Sequence, residues 1–233
     1  MLSLVIAEAA LEIVPNEIAS HRSIQNHTRK LNRPHTEILL DRSYHHYAMI
    51  DNRLESQWKR GRPDIIHFAL MEALSTPLYI RKMVKVYVST INNEAIFIGD
   101  DLRIPKSYFR FEGLMIDLFK NKVVKSPDSK RKLLELRANM PFGELINGML
   151  KPRTLIGLSS IGASSSAEQV VSMYAKESNI DCAFVVGGFP RGHFLSGTTK
   201  YFNNLHSIET ISLESHVVIA RILYECEKLL SIA

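Results

Sequence analysis

Cysteine is nearly absent from this 233-residue chain, and the two present, Cys182 and Cys226, lie in apolar surroundings without CxxC or CxxH spacing. That pattern gives no support for a zinc site and predicts buried free thiols, compatible with a reducing compartment. A phosphate-loop lysine and GxGxxG are missing as well, which argues against a nucleotide phosphate and against the usual dinucleotide fingerprint. Without G-x-S-x-G, H-E-x-x-H or a convincing Cys and His pair, hydrolase and metal chemistry have no local support. No apolar run approaches the roughly 18 residues of a membrane span. The opening residues 2–7 are apolar, but Glu8 and Glu12 follow and no basic leader precedes them, so the expectation is a cytoplasmic chain without a signal peptide.

What the chain does contain is ordinary for a globular protein, with 45% hydrophobic and 23% charged residues. Its length predicts one large domain, or a core carrying an insertion. Lys and Arg number 29 against 24 Asp and Glu, giving a net charge of +5. That excess favours a polyanionic partner if the cations cluster.

Residues 2–7 read as a buried strand feeding a helix from about Glu8, and Ile38-Leu39-Leu40 as a second short strand. The polar, basic stretch 21–34 between them has little apolar periodicity and reads as a loop. Pro63 fits the first turn of a helix whose Ile65, Ile66, Ala69, Leu70 and Leu74 recur at helical spacing. Residues 85–91 and 95–99 around Asn92-Asn93 predict a β-hairpin. An apolar helix over 111–119 and a charged linker over 120–132 follow. Then 153–159 and 181–187 look like strands, and 167–176 and 214–230 like helices, an alternation expected of a mostly parallel α/β sheet.

The strand Phe184-Val185-Val186 ends in Gly187-Gly188-Phe189-Pro190-Arg191-Gly192. Glycines there let a ligand approach main chain, and ligands of open α/β sheets bind beyond the carboxyl ends of strands. A plain β-to-α turn is the competing reading. Ile156-Gly157-Leu158-Ser159-Ser160 also closes a strand, and Ile208-Glu209-Thr210-Ile211-Ser212-Leu213 precedes the last helix, which together suit a nucleoside held by main-chain and apolar groups.

In the other half, Lys59-Arg60-Gly61-Arg62-Pro63-Asp64 gathers three cations at a helix start. Arg103, Lys106 and Arg110 would share a face if helical, interleaved with Tyr108, Phe109 and Phe111. Cations with aromatics bind phosphates and unstacked bases, although a solvated charged face would look the same. Asp64 can orient the Arg62 guanidinium, or serve as an acid at the helix start. His67 is expected to be a satisfied, partly buried histidine, and His45 and His46 surface residues.

The run Arg60-Gly61-Arg62-Pro63-Asp64-Ile65-Ile66-His67 resembles the RPD-I-x-H signature of the ribosome-biogenesis pseudouridine N1-methyltransferases of the SPOUT superfamily. The basic segment 103–115, the loop 187–192 and Ile211-Ser212-Leu213 match other family segments in order, so the likeness covers nearly the whole chain. It implies a single domain over 1–233, with a basic RNA-binding portion at 41–125 and a cofactor-binding portion at 150–233 threaded into a deep trefoil knot. The implied activity is methylation of ring nitrogen 1 of a pseudouridine in small-subunit rRNA, with S-adenosylmethionine as cofactor and a role in assembling that subunit. A homodimer is implied, as are contacts with small-subunit ribosomal proteins, no membrane partner and, in a eukaryote, a nucleolar location.

Residue by residue, the resemblance implies that Arg62, Arg103, Lys106 and Arg110 contact rRNA. Lys106 stands where an arginine is common, which keeps the charge and loses the bidentate fork. Asp64 is the catalytic candidate, orienting Arg62 or accepting a proton. Leu158, Gly187, Gly188, Gly192, Ile208, Glu209, Thr210, Ile211, Ser212 and Leu213 are the cofactor candidates, and no metal is expected. The alternatives are a methyltransferase with another RNA acceptor atom and a non-catalytic rRNA-binding assembly factor.

Overall fold

A computed structural model describes residues 1–175 and 181–232. Among these the strands are β1 (Leu2–Ala9), β2 (Val84–Thr90), β3 (Ala95–Ile98), β4 (Val123–Lys125), β5 (Lys132–Arg137), β6 (Thr154–Ser164), β7 (Cys182–Gly187) and β8 (Asn204–Ser207). The helices are α1 (Arg22–Leu31), α2 (Arg42–Asp51), α3 (Pro63–Ser75), α4 (Pro77–Ile80), α5 (Tyr108–Asn121), α6 (Phe142–Glu144), α7 (Ala167–Tyr174), α8 (Ser196–Thr199) and α9 (Ser215–Leu229).

Every residue of β1 is buried, which requires a sheet covered on both faces. The single sheet runs β4-β5-β3-β2-β1-β7-β6-β8, and β1 lies in its interior. From β2 to β8 the neighbours are parallel, whereas β3, β5 and β4 extend the sheet by antiparallel pairing. Strand side chains alternate, so Leu4, Ile6, Phe184 and Val186 face one core and Val5, Ala7, Ala183 and Val185 the other. The first core is covered by α3, α5, α7 and α9, through residues such as Ile66, Phe111, Val170 and Ile222. The second is closed by Phe142, Leu145, Ile146 and Phe194. Each fully buried aliphatic or aromatic side chain contributes about 1.5–3 kcal/mol.

The expected helix α3, the hairpin with Asn93 at φ +58°, and α9 form as their patterns indicate. Other stretches differ. No helix starts at Glu8: β1 runs to Ala9, and Glu8 takes φ +50° with its carboxylate turned inward. Ile38, Leu39 and Leu40 make only one bridge, from Leu39 to Ile13. The stretch read as a loop holds α1, capped by the His21 ring on the Ser23 N–H and by Asn32 at φ +51°. Its one buried residue, Ile24, supplies too little periodicity to betray a helix. It joins α2 in a separate small core of Ile18, Ile24, Ile38, Ala48 and Met49.

Two further expectations change. Most of the expected linker is structured: α5 runs to Asn121, β4 follows, and the turn is confined to 126–131, closed by the Ser126 N–H on the Arg131 carbonyl at 2.9 Å. α7 ends at Tyr174, and Lys176, where the helix was expected to stop, lies outside the described residues. Cys182 and Cys226 are buried free thiols, and burial pushes Cys182 up to about 11 and Cys226 further up. None of the described helices is long and apolar enough to cross a membrane.

Candidate functional site

Parallel pairing sets the carboxyl ends of β7 and β8 on either side of Leu158, which lies opposite Val186 and His206 midway along β6; the strand expected to close at 159 runs on to Ser164. Beyond those ends lies a cleft of about 350 Å³. Leu158, Ser159 and Ser160 line it from β6, Gly187 and the loop through Gly192 from β7, and Ile208, Glu209, Ile211, Ser212 and Leu213 from the segment before α9. The Ser215 hydroxyl at the start of α9 donates to the Gly187 carbonyl at 2.5 Å, fixing helix to strand end. A Cβ on Gly187 would sit 2.7 Å from the Phe189 ring, which would have to move, and Gly192 has φ +83°, where a side chain is strained, so the two positions favour glycine for separate reasons.

Two of the predicted cofactor residues lie outside this lining. Gly188 is buried where a Cβ would meet Ile66 and Ile6 within 2.8 Å, and its N–H and carbonyl bond to Ala7 and Ala10. It lets the loop pack tightly against β1 and α3. Thr210 points to the Glu209 carboxylate, donating its N–H at 2.9 Å. Glu209 also accepts from Arg221, and these donors hold its carboxyl below the usual range.

The run Lys59-Arg60-Gly61-Arg62 divides sharply. The Lys59 ammonium is buried, donates to the Glu8 carboxylate and to the His193 carbonyl, and lies 3.3 Å from the centre of the Phe189 ring. Burial pushes its pKa down, against the pull of Glu8. Arg60 is buried too, bonded to Glu12 at 2.8 Å and to Asn92 at 2.8 Å. Gly61, at φ +71°, then turns the chain, and Arg62 emerges. Two of the three expected surface cations are therefore internal, because their carboxylate partners come from the end of β1 and just beyond. Nothing local in the sequence announces this. The Lys59–Glu8 pair also fixes the cleft wall, since Glu8 accepts the Leu195 N–H at 2.7 Å.

Arg62 reaches Asp64 through a two-point fork of 2.8 and 2.7 Å, and this contact holds the guanidinium above its ordinary pKa. Arg62 lines both the cleft and an adjoining open groove of about 760 Å³. Asp64 lines that groove but not the cleft, with Asp41, Arg42, Ser43, His46, Tyr47 and Tyr108. His67, one turn further along α3, is buried and shares a 2.7 Å hydrogen bond with the Pro105 carbonyl, as a satisfied histidine should. This tie brings the 103–110 segment beside the groove. Arg103, Lys106 and Arg110 are all exposed, but α5 begins only at Tyr108, so the first two precede the helix and the three do not form a helical face.

Of the two expected surface histidines, His45 is not at the surface. His45 is 0% exposed, held between the His27 ring at 2.8 Å and the Asp41 N–H at 3.0 Å. Burial drives its pKa down to about 4. His46 is half-buried on the groove wall, and its Nδ1 has no partner among the described residues.

Residues 4–227 match the EMG1/NEP1 methyltransferase family. The chain is 40% identical over 199 residues to the ribosomal RNA small subunit methyltransferase Nep1 of Thermococcus sibiricus, covering 84% of this chain and 85% of that one. Against the Nep1 of Staphylothermus marinus it is 34% identical over 231 residues, covering 99% and 97%. The crystal structure of Archaeoglobus fulgidus Nep1 bound to S-adenosylhomocysteine superposes with a TM-score of 0.84 at 31% identity, over 98% of each chain. The chain belongs to the EMG1/NEP1 methyltransferase family, and the mixed α/β sheet is that of its solved member.

Proposed function

We propose that this protein transfers a methyl group from S-adenosylmethionine to ring nitrogen 1 of a pseudouridine in small-subunit rRNA, and acts in assembly of that subunit. One observation carries the reading most directly: Arg62 belongs at once to the cleft at the strand ends and to a groove walled by Tyr47, Tyr108 and His46. A donor in the first and a splayed base in the second would meet at one guanidinium.

The cleft fits the cofactor. Its Leu158, Val186, Ile208, Leu213 and Val218 suit an adenosine, its Ser159, Ser207 and Ser212 and loop backbone suit ribose and amino-acid polar groups, and it carries no lysine. Bound there, S-adenosylmethionine supplies an electrophilic methyl group. The acceptor supplies the nucleophile, because pseudouridine, joined to its sugar through carbon, keeps a ring N–H where uridine has its glycosidic bond. The chain must then splay the base, align it and take up the proton. Tyr47 and Tyr108 offer stacking faces, Arg62 steadies the charge developing on the ring, and Asp64 fixes Arg62 and is the proton acceptor we assign. Arg103, Lys106 and Arg110 hold the flanking strand by its phosphates.

On the same reading the chain is one domain, with RNA handled by 41–125 and cofactor by 150–233. The latter is threaded as the SPOUT trefoil knot, a reading supported by the interleaved order β1-β7-β6-β8. It works as a homodimer, supported by Phe68, 53% exposed on α3 beside His216 of α9, and by Tyr224, 55% exposed. Small-subunit ribosomal proteins are its further partners, in the cytoplasm or, in a eukaryote, the nucleolus. Mass spectrometry of small-subunit rRNA from cells with and without the gene tests the function. One pseudouridine should lose 14 mass units, the weight of one methylene, when the gene is removed, and an unchanged rRNA would overturn the assignment.

A further inference from the structure

Two arginines at the site have no carboxylate partner. Arg42, the first residue of α2, donates one guanidinium N–H to the Gln57 carbonyl at 3.0 Å and pairs with no acid among the described residues. Its backbone N–H donates to the Gly61 carbonyl at 2.8 Å, so the start of α2 is tied to the turn that exposes Arg62. Arg191, exposed in the loop after β7, lines the cleft and likewise has no ion pair among the described residues. Arg62 lies between them, since it lines the cleft with Arg191 and the groove with Arg42.

The acids whose charges act on Arg62 are Asp64, Glu214 and Asp41, but none of them forms an ion pair with Arg42 or Arg191 among the described residues. Asp64 is committed to Arg62 on both oxygens, and Asp41 caps α2 through the Ser43 N–H at 2.7 Å. Burial first, then the charges of Arg191 and Arg62, push Arg42 below its ordinary pKa. Like charges gathered without a partner are costly, and an anion shared among them relieves the cost.

We propose that Arg42, Arg62 and Arg191 form one phosphodiester site at the junction of cleft and groove, gripping the backbone phosphate of the nucleotide whose base enters the site. The inference rests on the RNA methyl-transfer reading above. It commits to a phosphodiester and not to the cofactor's carboxylate, for two reasons. S-adenosylmethionine also carries an ammonium and a sulfonium, which three guanidiniums would repel. Arg42, moreover, lines the groove and not the cleft. A phosphate held at this junction would act as a pivot, with the strand running outward past Tyr108 toward Arg103, Lys106 and Arg110.

The test is fluorescence anisotropy of an RNA loop containing pseudouridine, titrated at several salt concentrations with the parent, Arg42→Gln and Arg191→Gln. Calorimetry with S-adenosylhomocysteine accompanies each protein. Each variant should bind RNA at least about fivefold more weakly, with the log–log salt slope reduced by about 0.7, the value for one phosphate contact on a single strand. Any loss of S-adenosylhomocysteine affinity should be smaller than the loss for RNA. Arg42→Lys should recover the slope but only part of the affinity, since it keeps charge and loses the fork. A methylphosphonate at the phosphate beside the pseudouridine should weaken the parent as much as the substitutions do, and add little to either variant. Unchanged slopes in both variants overturn the inference. So does a loss confined to S-adenosylhomocysteine, which would assign the arginines to the cofactor. If the parent methylates the loop while the variants match it throughout, only this inference fails; if the parent binds no RNA, the functional reading fails with it.

Discussion

Lys59 and Arg62 are three positions apart, yet one is sealed inside the protein and the other stands in the site. Glycine at position 61, at φ +71°, separates these fates by turning the chain between them. The fork from Arg62 to Asp64 was readable in the sequence because both partners lie within three residues at a helix start. The Lys59–Glu8 pair was not, because its partners lie 51 residues apart and meet only when β1 is placed beside the α3 entry. That pair's side chains are 1% and 7% exposed. Removing one member of a buried pair strands the other charge, at about 3–5 kcal/mol. Lys59→Met should therefore unfold at markedly lower denaturant, whereas Lys59→Met with Glu8→Gln should recover much of the loss, because glutamine still accepts the Leu195 N–H without a charge. Denaturant melts check this, and equal stability of Lys59→Met and the parent would contradict the burial of the pair.

Among the elements, those with strong periodicity or clear turn chemistry were readable: α3 behind Pro63, the hairpin around Asn92-Asn93, and the long α9. α1 was not, since it presents only Ile24 to a core and its caps, His21 and Asn32, are not read from spacing. The joint between α1 and α2 also holds a titratable group. His45 on α2 shares a 2.8 Å hydrogen bond with His27 on α1, and its pKa falls from 6.5 to about 4 on burial. His27 is pushed down as well, by burial and then by Lys30, with Asp41 opposing. A folded-state pKa below the unfolded one means the unfolded chain binds protons more readily. The stabilisation from neutral His45 is then complete above about pH 6.5 and is lost as pH falls from there toward 4. At about 1.4 kcal/mol per pKa unit the loss is about 3 kcal/mol. His45→Gln should flatten the acid side of the stability profile, measured by thermal melts from pH 7 to 4; an acid limb as steep as the parent's would show that this joint does not set it.

At the scale of the whole molecule, the α/β class followed from the alternation of apolar segments, and so did a cleft beyond the strand ends, which is where the proposed function puts the cofactor. The strand order did not. Nothing in periodicity says that β7 lies between β1 and β6, or that three antiparallel strands widen the sheet beyond β2, because those choices are made by contacts far apart in sequence. The cleft exists only through that order, and so does the meeting of cleft and groove at Arg62. On the proposed function, this meeting point serves a pseudouridine and not a uridine. The direct measurement incubates the protein with labelled S-adenosylmethionine and two RNA hairpins that differ only in having pseudouridine or uridine in the loop. Label should enter the pseudouridine hairpin alone, with Asp64→Ala slowing transfer by about 10²-fold, the lower range for a lost general base, while weakening cofactor binding far less. Equal labelling of both hairpins would contradict the proposed function by placing the methyl on an atom common to both bases, and no labelling of either, with RNA still bound, would leave an assembly factor that grips rRNA without modifying it.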